Sequence, residues 1–305
     1  MSPITRDASG VRLGVNPIGW SNDDLPWLGA ETPLELILRE GAAIGYEGFE
    51  SNGKFPRESA ALGRVLGAHG LVLVSGWYSG RLAQRTVEEE IAAVDAHLRL
   101  LAENGAAVMV YGETADSIQG ERRPLIERPC FRSPREWRTY ADKVTALARY
   151  TLAHGVRLAY HHHMGAYVQS PVDIDILMAS TGEEVGLLLD TGHCHLGGGD
   201  PAVVVRDHIA RICHVHCKDV RAPVAELARN GCWSFPDCII NGVFTVPGDG
   251  NIDFEAVVGR LLAGGYHGWL VVEAEQDPAV APSAPYARKG FETLRALIAR
   301  ITGLG

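Results

Sequence analysis

Short β-branched or apolar runs alternate with longer stretches in which apolar residues recur every three to four positions, and the rhythm continues along the chain. Residues 11–16, 46–50, 71–76, 106–111, 156–161, 185–190, 212–216 and 269–273 are predicted strands. Their unbroken apolar character is that of parallel strands covered on both faces. The segments TPLELILREGAAIG, TVEEEIAAVDAHLRLLAENG, SPREWRTYADKVTALARYTLAHG and DFEAVVGRLLAGG carry the helical period, with Thr, Ser or Asp at the expected N-cap and Gly at several ends. Strand–helix alternation repeated in this way predicts an α/β fold, a closed (β/α)8 barrel. A doubly wound sheet is the alternative, but no GxGxxG follows the first strand as a dinucleotide-binding version would require.

Two stretches are too long to be simple connectors, one near residues 112–134 and one near 221–250. In a barrel both follow strand C-termini, where lids and substrate loops belong. The 305 residues are therefore expected to form one barrel domain with two lid-like insertions.

Composition narrows the possibilities. With 46% hydrophobic residues there is material for a large core. A formal charge of −9, without Lys/Arg clusters, argues against a nucleic-acid partner. Neither a long apolar span nor a basic-then-apolar start in residues 1–10 is present, so no membrane association and a cytoplasmic location are expected. The cysteines Cys130, Cys194, Cys213, Cys217, Cys232 and Cys238 form no paired CxxC units and are expected as reduced thiols. A homo-oligomer is compatible with the helical pattern.

The chemistry concentrates at strand ends. The last residues of the fifth to eighth predicted strands are His161, Asp190, His216 and Glu273. Parallel strands bring these ends around one mouth, so the four are candidate metal ligands. Two imidazoles with two carboxylates suit manganese, cobalt, zinc or iron better than calcium. Residues two apart on a strand share a side, which leaves His161 or His163, His214 or His216, and Glu273 or Glu275 open. His163, Lys218, Glu50 and Glu275 are candidate proton-transfer groups, although Lys218 could instead be a solvated lysine paired with Asp219. Asn16, Trp20, Asn22, Trp77 and His193 are candidate substrate contacts, because a sugar-like ring needs an aromatic face and polar rim partners; Trp20 and Trp77 could equally be core.

With these residues go the motifs GVNPIGWSNDDLPWLG, GYEGFE, YHHHMG, LLLDTGHCHLGGGDP, HVHCKDVR, FTVPGDGNIDF and GWLVVEAEQDP. Together they resemble the xylose isomerase-like TIM-barrel superfamily and, within it, the inosose dehydratases of inositol catabolism, over nearly the whole chain. The resemblance implies a cytoplasmic lyase that removes water from 2-keto-myo-inositol, a small polyol ketone, with cobalt or manganese as cofactor. The wider superfamily's epimerases generally carry glutamate where this chain has His161. A sugar or inosose epimerase/isomerase working through a metal-stabilised enediolate is the alternative, and a polyol-binding barrel without catalysis a more distant one.

Overall fold

The computed structural model describes residues 10–303, so nearly all of the 1–10 segment inspected for a signal lies outside the described residues. Eight strands close into one parallel barrel: β1 (Val11–Val15), β2 (Gly48–Ser51), β3 (Val72–Gly80), β4 (Val108–Glu113), β5 (Arg157–His161), β6 (Gly186–Asp190), β7 (Ile212–Cys217) and β10 (Gly268–Val272). The order around the barrel is β1-β10-β7-β6-β5-β4-β3-β2. Two short strands, β8 (Asp219–Val220) and β9 (Phe244–Thr245), form an antiparallel ribbon beside it.

The helices are α1 (Leu34–Ile44), α2 (Ser59–Gly67), α3 (Val87–Glu103), α4 (Pro134–Ala153), α5 (Pro171–Ser180), α6 (Thr191–Leu196), α7 (Pro201–His208), α8 (Ala222–Asn230), α9 (Phe235–Ile240), α10 (Phe254–Ala263) and α11 (Ser283–Thr302). Three of the expected N-caps form: Thr86 in a reciprocal box with Glu89, Ser133 on Glu136, and Asp253 on Ala256. Thr32 does not cap α1, because the helix begins after Pro33, which has no side-chain acceptor to offer.

Outward-facing strand residues such as Leu187, Leu189, Val215 and Leu270 meet helix residues such as Ile37, Val144, Leu147 and Val257 in one continuous core. Each such burial contributes about 1.5–3 kcal/mol. The predicted strands recur with shifted ends. β3 runs on to Gly80 because Trp77 and Tyr78 pair with Val110 and Tyr111 of β4. β10 stops at Val272, which leaves Glu273 one residue beyond it.

Both insertions lie at the C-terminal ends of the strands. Residues 112–134 contain one 3-10 turn, Leu125–Glu127, and are fastened by Arg128, which donates to the Tyr167 carbonyl at 2.7 Å and to Asp173 Oδ2 at 2.7 Å. Residues 221–250 fold into α8, α9 and half of the ribbon, and a separate apolar cluster of Leu25, Met164, Leu196, Phe235, Val243 and Phe244 seats them. Asp219 receives the N–H groups of Gly248, Gly250 and Ile252, so it shapes this segment and does not pair with Lys218. All six cysteines are free thiols. Among the described residues no helix is long and apolar enough to cross a membrane.

Candidate metal centre and active site

Parity decides what each strand sends into the mouth. On β7 and just past it, His214, His216 and Lys218 point the same way and are buried; Asp190 of β6 lies level with His216. Burying so many polar groups is unfavourable unless each finds a partner. Their partners show how the site is arranged.

The three consecutive histidines have separate duties. His161 donates from Nδ1 to the His162 carbonyl at 2.6 Å, which leaves its Nε2 lone pair facing Asp190 Oδ2 at 3.6 Å. Burial holds its pKa well below the ordinary value, so the ring is a neutral ligand type. His162 is not in the cleft: its Nε2 accepts the Asp190 N–H at 3.3 Å, tying β5 to β6. His163 donates from Nδ1 to the Met164 carbonyl at 2.9 Å and lines the cleft with the rest of its ring.

Four acceptor atoms converge below it. His216 Nε2 donates to Glu50 Oε1 at 3.2 Å, so its Nδ1 faces Glu273 Oε2 at 3.0 Å and Asp190 Oδ2 at 3.6 Å. His216 Nδ1 and Asp190 Oδ2 are buried without a hydrogen-bond partner, although the Lys218 ammonium stands 3.1 Å from Asp190 Oδ2. Acceptors facing one another repel unless a positive charge stands between them. A proton on His216 can serve: burial opposes it, but Glu273 and Glu50 hold the His216 pKa well above its ordinary value. A divalent cation satisfies the same atoms together with His161 Nε2, and the mixed imidazole–carboxylate set suits one.

By proximity alone, His161, Asp190, His193 and Glu273 form a group of four whose ligand atoms lie mutually within 4.8 Å, His216 groups with Glu50 and His214, and His163 groups with His193 and Glu275. Hydrogen bonding favours His216 over His193 as the fourth ligand. His193 Nδ1 accepts the Met164 N–H at 3.1 Å, so Nε2 carries the proton and is spent on Glu275 Oε1 at 3.3 Å.

The candidate proton-transfer groups divide. Glu50 is filled by Asn16 Nδ2 (2.7 Å), Ser75 Oγ (2.5 Å) and His214 Nε2 (2.7 Å) besides His216, and it positions that ring. Lys218 is 0% exposed and reaches Asp190, Glu273 and Glu275 at 3.1, 2.7 and 2.7 Å. Burial would lower its pKa, but these three carboxylates raise it above the ordinary lysine value. The ammonium is therefore a charged partner shared by the three carboxylates beneath the site. Gly192 makes room for it, since a Cβ there would lie 2.6 Å from Lys218 Cγ and 2.7 Å from Cδ. Gly192→Ala is expected to cost about 1–3 kcal/mol in denaturant unfolding; an unchanged midpoint would show that the lysine stem can yield.

Several expected substrate contacts lie elsewhere. Trp20 is 2% exposed, donates Nε1 to Glu40 at 2.6 Å and packs on Phe49, so it is core. Asn22 uses Oδ1 to take the N–H groups of Asp24 and Leu25, both at 2.8 Å, and shapes the loop. His193 is enclosed by His163, Phe235 and Phe244 and does not line the cleft. Asn16 reaches the cleft, but its amide bridges Glu50 and Glu273. Trp77 does line the cleft, edge-on to His161 and His163 at 5.5 and 5.7 Å between centroids.

The cleft holds about 590 Å³ of atom-free space, its open mouth included. The xylose isomerase-like TIM barrel family matches residues 38–297. The chain belongs to that family. Among its relatives, the rhizopine catabolism protein MocC of Rhizobium meliloti is 49% identical over 95% of this chain and 89% of the relative. The inosose dehydratase of Geobacillus thermodenitrificans is 44% identical over 93% of this chain and 96% of the relative. Of solved structures, an IOLI protein with a bound zinc atom has a TM-score of 0.70 at 17% identity, over 95% of this chain and 99% of that one, a likeness of fold.

This xylose isomerase-like barrel also places in its cleft residues not singled out above: Asp24, Ser51, Asn52 and Gln119. Ser51 Oγ and Glu275 Oε2 are buried without a partner. Asp24 stands next to the Asn22 and Asp23 of the first long motif, and its neighbour Leu25, an apolar residue in a polar loop, was the available sign that this loop docks. Nothing in the local pattern distinguishes Gln119.

Proposed function

We propose that the protein is a hydro-lyase of the inosose dehydratase type, which eliminates water from 2-keto-myo-inositol in the cytoplasm with manganese or cobalt held by His161, Asp190, His216 and Glu273. The observation that carries the reading is the set of mutually facing acceptors, Asp190 Oδ2, His216 Nδ1 and Glu273 Oε2, at the floor of the cleft. Similarity to inosose dehydratases over 93% of the chain supports the substrate class.

A divalent cation held there would supply Lewis-acid chemistry toward a ketone oxygen, which would acidify the neighbouring C–H. His163 is the base. Burial, and then Lys218, holds its pKa below the ordinary value, so the ring is neutral, and its Nδ1–H is committed to Met164. Nε2 remains for the substrate. Trp77 offers an apolar face to the ring. Lys218 balances Asp190, Glu273 and Glu275, and Asn16 and Glu50 hold Glu273 and His216 in place.

The test is incubation of cation-loaded protein with 2-keto-myo-inositol. Ultraviolet absorption of a dione, with loss of one water in the product mass, is expected. Unchanged mass with a new stereoisomer would replace this reading with the epimerase one.

A further inference from the structure

Elimination requires two proton movements at different atoms, and His163 accounts for only the first. The titratable residues lining the cleft are Asp23, Asp24, Glu50, His161, His163, His216, Glu273 and Glu275. His161, His216 and Glu273 are committed to the cation site, and Glu50 is saturated by hydrogen bonds. Glu275 Oε1 is bound to the Lys218 ammonium at 2.7 Å. Asp23 is exposed and accepts the Gly53 N–H at 2.9 Å. Of Glu275 and Asp24, each with one carboxylate oxygen free, only Asp24 has no ammonium in contact with it.

Resting on the dehydratase reading, we propose that Asp24 is the general acid that protonates the departing β-hydroxyl. Its position is built from two sides. Asn22 Oδ1 takes the N–H groups of Asp24 and Leu25, and the Leu25 side chain, 2% exposed, is anchored in the apolar cluster under the second insertion. From the first insertion Gln119 Nε2 donates to Asp24 Oδ1 at 3.1 Å, orienting the carboxyl and leaving Oδ2 for the cleft. The charged groups facing it are Glu275 and Glu273 beyond β10 and Lys218 beyond β7. Burial, and then Glu275, raises its pKa to about 7, against the opposing pull of Gln119 and Lys218. A carboxyl that keeps its proton near neutrality can donate it.

In the step, the α C–H bond breaks, its proton passes to the base and its electron pair becomes the C=C bond. The β C–O bond breaks with its pair on oxygen, which takes the Asp24 proton and leaves as water. Asp24 regains a proton from solvent. The enol formed tautomerises to the dione, and nothing is oxidised or reduced overall.

The experiment compares wild type and Asp24→Asn, both cation-loaded, with 2-keto-myo-inositol in D2O. It follows dione absorption and deuterium uptake at the α-carbon of recovered substrate. Asp24→Asn is expected to form dione ~100-fold more slowly or worse, while α-deuterium exchange, cation content and unfolding temperature persist. Asp24→Glu, which retains an acid, recovers part of the lost rate. A dione rate equal to wild type in Asp24→Asn, or parallel loss of exchange and dione with the cation still bound, overturns the assignment. A wild-type protein that forms no dione overturns the dehydratase reading and the assignment with it, which separates that failure from a failure of Asp24 alone.

Discussion

Glu273→Gln is expected to lose the divalent cation on dialysis and to lose dehydration with it. Glu273 works on two sides: Oε2 meets His216 Nδ1 at 3.0 Å and the Asn16 amide at 2.8 Å, and Oε1 meets Lys218 Nζ at 2.7 Å. An amide keeps the shape but must place an NH2 on one of them. Turned toward Lys218, it sets donor against donor beside a buried ammonium; turned toward His216, it puts a donor where the cation belongs. Losing a Lewis acid that contributes about 4 kcal/mol corresponds to a fall of ~10³-fold in kcat/KM. Metal analysis of the dialysed protein and the dione assay read the two losses separately. A variant that keeps the cation and the wild-type rate would remove Glu273 from the ligand set.

The barrel was legible because its evidence is periodic: apolar runs and helical stretches recur, and only strand ends shifted, as where WYSG continues β3 by pairing with β4. The site was legible to the level of parity and no further. His161 and His163, His214 and His216, and Glu273 and Glu275 share faces two by two, and nothing local separates the members. What separates them is the hydrogen-bond partner of the second ring nitrogen or carboxylate oxygen. Those partners come from far away in sequence, as with His214 and Glu50, 164 positions apart, or His193 and Glu275, 82 apart. Trp20 stayed open between cleft and core for the same reason, since its indole N–H is satisfied by Glu40 on α1 and the ring turns into the core. Asp24 escaped notice because its setting depends on a hydrogen bond from Gln119, a residue 95 positions away on an insertion without a period.

That dependence on distant partners makes Lys218→Met the most severe substitution expected for stability. The methionine fills the stem's volume but removes the ammonium from Asp190, Glu273 and Glu275, and stripping one partner from a buried ionic cluster costs about 3–5 kcal/mol. The penalty has a pH signature. Burial would push Asp190 up, but Lys218, followed by His193, holds it well below its ordinary value. A folded pKa below the unfolded value of about 3.9 contributes stability that is present above that pH and is lost as pH falls through the folded value. Without Lys218 the folded pKa moves up, so part of that stability is missing at neutral pH. The gap between wild type and variant is therefore widest near neutrality and narrows on acidification. A divalent cation restores positive charge to the same carboxylates, so saturating manganese narrows the gap as well, through preferential binding to the folded state. Denaturant unfolding at neutral and acidic pH, with manganese and with chelator, measures both trends. A penalty independent of pH and of the cation would mean that Lys218 contributes packing only, and the three carboxylates would then need another counter-charge.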